Sequence, residues 1–175
     1  SNDGLGNIVI TDAVEQFSGN GGIIGAVLSN GNKTLTIPLA SITGPKIIFN
    51  GALANDTLTA NLANSLGKIV DFNGGGQTSS PGDKLITVGG TFALATLNHT
   101  NSNDGSVVLD GNTINYTGLE PVDVTGSTIT SLVINLPDTD DATDDVTEFS
   151  ISGSNLIVDS VNGEHEDDTI ALAGI

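Results

Sequence analysis

The sequence contains no cysteine, no methionine and no tryptophan, and aromatic residues make up only 3% of it. Without cysteine there are no disulfides and no thiolate metal sites, although that absence does not fix the compartment. Arginine is missing too, and the only basic side chains apart from histidine are Lys33, Lys46, Lys68 and Lys84. The formal net charge is -17. Of the 21 acidic residues, six precede Thr91 and fifteen follow it, where no lysine remains. Phosphate is held by basic side chains, so nucleic acid and anionic membrane surfaces are poor partners. Calcium and basic surfaces are the natural counterions. No apolar stretch is long enough to span a bilayer. The chain opens at Ser1 with neither Met nor signal peptide, and reads as a processed chain or a piece of a longer one.

What is present is strand and turn chemistry. Hydrophobic residues reach 37%, enough for a core, and they are mostly Ile, Val, Leu and Ala. The 23 glycines, with Asn, Thr, Ser and Asp, crowd the gaps between short apolar runs. No window of helical length sustains apolar residues at spacings of three and four. A phrase recurs: a polar turn, then Thr or Lys, then an aliphatic strand. It is NKTLTI from Asn32, NDTLTA from Asn55, GDKLITV from Gly82, GNTINY from Gly111, GSTITS from Gly126, GSNLIV from Gly153 and DDTIAL from Asp167. SNDG opens the chain at Ser1 and returns at Ser102.

These features predict an all-β chain, residues 1–175 forming a single elongated repeat unit with an internal repeat boundary near 101/102. The expected architecture is a parallel β-solenoid, β-helix-like, of strands of about four to six residues; the alternative is β-sandwich repeats. A short strand alone cannot offset backbone ordering of about 1–2 kcal/mol per residue. Stacked coils bury Ile over Val over Leu, with Gly and Asn at the corners. The narrow interior leaves little room for aromatics.

IIFNGALANDTLTANL, FNGGGQTSSPGDKLITVGGTF and the run from Thr96 to Asp138, above all Asn98 to Val122, resemble tandem repeats of very large secreted bacterial surface proteins. That resemblance implies an adhesin-like or matrix role, at the bacterial cell surface or in the extracellular matrix, with no catalytic residues.

Calcium is the cofactor that the acids suggest. Gly51 to Thr59 keeps the first Gly, the acid (Asp56) and the aliphatic residue of the nonapeptide G-G-x-G-x-D-x-U-x, but not its other glycines. Gly163 to Ala171 does the same through Asp168. LPDTDDATDD carries Asp138, Asp140, Asp141, Asp144 and Asp145. It lacks the sixth-position Gly and twelfth-position Glu of an EF-hand loop. A second cluster is Glu164, Glu166, Asp167 and Asp168. The plain alternative is ordinary turn acids and a solvated acidic loop between SLVINL and VTEFSI. His99 and His165 are the only imidazoles, and His165 reads as a solvated turn residue. Paired carboxylates raise polysaccharide cleavage, but the basic and aromatic sugar contacts of such sites are scarce here, so no enzyme is expected. The expected role is an extracellular structural protein, a filament, matrix or surface-layer subunit or an internal repeat of a fibrous chain, that self-associates head to tail. The alternative is a calcium-dependent adhesion module that binds a surface glycan or protein.

Overall fold

The computed structural model describes residues 1–80, 82–137, 146–161, 165 and 167–173. All seven recurring phrases fall on strands, and the described chain is all-β apart from one 3-10 turn at Leu39–Ser41.

Alternation builds a small first sheet. In β3 (Thr34–Pro38) Leu35 and Ile37 are buried and the residues between them are not. β3 pairs antiparallel with β1 (Asn7–Thr11) on one side and β2 (Val27–Ser29) on the other. Asn30-Gly31-Asn32 turns the chain from β2 into β3 with φ of 51, 63 and 66°. Asn tolerates that left-handed region better than most residues. The sheet has its own small core of Ala26, Leu35 and Ile37.

The remaining strands form one mixed sheet. They are β4 (Lys46–Asn50), β5 (Thr57–Asn61), β6 (Ile69–Asn73), β7 (Asp83–His99), β8 (Gly105–Leu109), β9 (Asn112–Thr117), β10 (Leu119–Asn135), β11 (Thr147–Ser152), β12 (Asn155–Ser160) and β13 (Asp168–Ala171). The order is β11-β12-β13-β10-β7-β8-β9-β6-β4, and β5 pairs with β7 beside that path. Like side chains stack where the pairing is parallel. Ile47 meets Val70, which meets Ile114; Phe49 meets Phe72, which meets Tyr116. In the second parallel set Leu58 meets Leu85, and Leu85 meets Val122. β13 joins β10 in parallel, whereas β8, β12 and β11 run antiparallel to their neighbours. Among the described residues the sheet does not close into a barrel, and β4, β5 and β11 are its end strands.

Two findings depart from the expected short strands and aromatic-poor interior. β7 and β10 are 17 residues each. β7 bends at Gly89 and Gly90, both left-handed at φ 72 and 78°. Its first half pairs with β5 and its second half with β8, so one strand serves two parts of the sheet. β10 follows with register shifts around Gly126. The scarce aromatics are also used inside: Phe72, Phe92 and Tyr116 are buried and Phe49 packs against them. Parallel register sets Phe49, Phe72 and Tyr116 about 4.8 Å apart, close enough for aromatic contact. Around them lie Leu85, Leu97, Ile114, Leu119, Val122 and Ile170, each contributing about 1.5–3 kcal/mol when fully buried.

At Gly126 a Cβ would lie 2.7 Å from the Thr87 carbonyl oxygen and 2.7 Å from the Val88 side chain. Gly126→Ala is therefore expected to push β10 off β7 and cost about 1–3 kcal/mol. Urea unfolding checks this; an unchanged midpoint would mean that the two strands part there freely.

Candidate functional site

One end of the large sheet is unfinished. Among the described residues, β4 and β5 are each paired on one side only. A cleft of about 390 Å³ separates them from β1, with Ile8, Ile10, Ile47, Phe49, Leu58 and Val70 in its lining. Polar contacts link the small sheet to the large one. Asn2 Nδ2 donates to the Ser65 carbonyl at 2.6 Å, and Asn64 Nδ2 donates to that of Asn2 at 3.2 Å. On the outer face Lys46 of β4 donates to Asp71 of β6, whose other oxygen accepts from Asn115 of β9 at 2.8 Å.

The other end exposes apolar surface. Phe149 and Ile151 on β11 are 60% and 70% exposed. They pair in register with Val158 and Leu156 of β12. Val158 is buried and Leu156 packs on the core. The core-facing side of β12 thus continues onto a strand that, among the described residues, is paired on one side only.

Between these ends sits a buried polar cluster that joins four strands. His99 closes β7, and its Nε2 lies 2.9 Å from Asp168 Oδ2 on β13, with both side chains almost fully shielded. Its Nδ1 lies 3.3 Å from the Tyr116 hydroxyl on β9. The His165 ring is 5.4 Å from that of His99, and its Nε2 is 2.9 Å from Thr147 Oγ1 on β11. Burial raises the Asp168 carboxyl above its ordinary value, and His99 and His165 only partly oppose this. Both ring nitrogens of His99 are engaged and the cluster is closed to solvent, so it suits fastening the last strands to the stack rather than meeting a substrate. His165 is buried here, which corrects the expectation of a solvated turn residue. Sequence spacing carried no sign of the cluster, since its partners lie up to 69 residues apart.

Of the acids named as metal candidates, Asp138, Asp140, Asp141, Asp144, Asp145, Glu164 and Glu166 lie outside the described residues. Asp168 engages His99 through Oδ2, while its Oδ1 is buried without a donor. Asp167 accepts the Ser160 N–H at 3.1 Å; burial and the neighbouring Asp159 raise its carboxyl. Asp56 lies at the start of β5, next to Asp83, which the sequence did not single out. Among the described residues no three His, Asp or Glu side chains converge as a metal group. No protein-family model, no curated protein and no solved structure matches the chain.

His99→Ala would leave Asp168 buried without its partner, and a loss of about 3–5 kcal/mol is expected in denaturant unfolding. A loss below about 1 kcal/mol, the scale of an exposed pair, would show that the pair is not sealed from water.

Two aspartates whose carboxyls shift in opposite directions, Asp168 and Asp71, give opposite pH trends. Asp168 lies above the reference 3.8, so its contribution to stability is complete below that pH and disappears as pH rises through its folded value. Asp71 lies below 3.8 because Lys46 and Asn115 donate to it, so its contribution holds above that pH and is lost on acidification. Stability measured against pH for Asp168→Asn and Asp71→Asn should therefore differ from the parent with opposite slopes. Equal slopes would contradict the environments described.

Proposed function

We propose that the chain is a non-catalytic extracellular structural protein whose copies associate head to tail through strand edges. In this reading the parallel ladders β4-β6-β9 and β5-β7-β10 are solenoid-like coils, and the next copy continues the stack. The observation that carries it is the pairing of two unfinished ends. One is an apolar cleft beside the free edges of β4 and β5; the other is the free apolar strand β11. Unpaired strand edges are templates for further pairing, and a heterologous contact of this kind propagates rather than closes. Charge favours unlike ends: the lysines all precede Thr91 and the acids concentrate after it, so two acidic ends repel. The resemblance to repeats of large bacterial surface proteins supports an extracellular setting.

A second reading, a calcium-dependent adhesion module for a surface glycan or protein, is favoured by buried carboxylate oxygens of Asp56 and Asp83 that meet no donor.

Light scattering of the purified chain against concentration tests the first reading. Growth to large particles is expected, and Phe149→Ser combined with Ile151→Ser should hold the chain as a monomer. A parent chain that stays monomeric throughout would sink self-association.

A further inference from the structure

We propose that Asp56 and Asp83 form a calcium site between two neighbouring strands of the parallel stack. The residues after them, Thr57 and Lys84, are register partners, so the two aspartates are neighbours across the β5–β7 ladder. Asp83 is fully buried at 0% exposure. Its Oδ1 accepts the Asp56 N–H at 2.6 Å, which fixes the carboxylate in place. Its Oδ2 is buried and meets no donor, and the same holds for Asp56 Oδ2. A buried acceptor left without a donor costs about 1–3 kcal/mol, and more when it is charged. A bound ion is one of the recognised resolutions of such an orphan. The nearest lysine does not serve, because the Lys84 ammonium lies 3.3 Å from Asp123 on the outer face.

The geometry selects the ion. Asn50 and Asn73 are register partners, so Gly51 and Gly74, which follow them, occupy equivalent corners. A Cβ on Gly51 would lie 2.6 Å from Asp56 Oδ2, and one on Gly74 would lie 2.5 Å from Asp83 Oδ2. The two carboxylates therefore hold the same place in successive layers, one strand spacing of about 4.8 Å apart. An ion between the two layers can take an oxygen from each, and calcium accepts such irregular, oxygen-only shells more readily than magnesium. The Gly74 carbonyl oxygen crowds the same Gly51 corner and offers a third oxygen. Water would have to supply the rest of the shell. All the donors are hard oxygens, which suits calcium over zinc. Bound there, calcium would fasten β5, a free edge strand, onto β7. This inference does not depend on self-association.

The test is calorimetric titration of the EDTA-treated full chain with calcium chloride, together with thermal melting in calcium and in EDTA at matched ionic strength. The expected result is a calcium-linked rise in melting temperature for the parent. Asp56→Asn, on a half-buried edge position that should tolerate it, and Asp83→Asn should each weaken the binding by about tenfold or more. A chain with Asp138, Asp140, Asp141, Asp144 and Asp145 all changed to Asn should keep it. If Asp83→Asn does not fold, Asp56→Asn alone decides. Parent-like binding in Asp56→Asn, loss of the binding in the five-fold variant, or no calcium-linked rise in the parent would each overturn the proposal.

Discussion

The register of β7 is the constraint on which the rest of this structure depends. β7 pairs with β5 over its first half, with β8 over its second half, and with β10 along its length. A slip of one residue on this strand would turn Leu85, Ala95 and Leu97 out of the core at once, because strand side chains alternate faces. Gly89 and Gly90 supply the bend that allows both halves to keep their partners. The stacked pairs Leu58 with Leu85 and Phe49 with Phe72 follow from the same register.

That arrangement also explains why polar groups are buried. The apolar side chains are small, and the seams where parallel stacking meets antiparallel strands are filled by His99, Asp168 and Tyr116, with His165 beside them. Asp168 Oδ1 is left without a donor there, and removing a member of such a network strands the others in a low-dielectric interior. The Asp56 and Asp83 corner differs in having two such oxygens, on neighbouring layers of the stack. There the oxygens face glycine corners and a carbonyl, so a cation fits the chemistry that a side-chain donor does not supply.

The two unfinished ends and the charge asymmetry act together. Edges of a sheet are usually protected by charge, by short strands or by cover. Lys46 gives β4 a charged residue, but that lysine is occupied by Asp71 on the outer face and leaves the apolar lining of the cleft unguarded. β11 presents Phe149 and Ile151 with only Glu148 as an acid on the strand. A chain so acidic stays dispersed by repulsion unless unlike ends or a cation bring copies together.

Much of the fold was written locally. The recurrent turn-Thr-aliphatic phrases marked strands correctly, because alternation and turn residues act over a few positions. Composition alone settled the all-β class and the absence of disulfides. The 17-residue length of β7 and β10 was not legible, because glycines inside them, Gly89 and Gly90 in β7 and Gly126 in β10, look no different in sequence from those that end short strands. The use of Phe49, Phe72 and Tyr116 in the core was hidden for a related reason: rarity in composition says nothing of stacking. At the candidate sites the acid at position 56 was noticed, but its neighbour Asp83 was not, since the two are 27 residues apart in sequence. Thus the sequence by itself determined the strands, the charge imbalance and the turn chemistry, all of which are short-range properties. Which strands pair, which histidine meets which aspartate and which carboxylates stack were decided only by the tertiary structure. Those depend on register between distant segments, and register is set by the packing of the whole core.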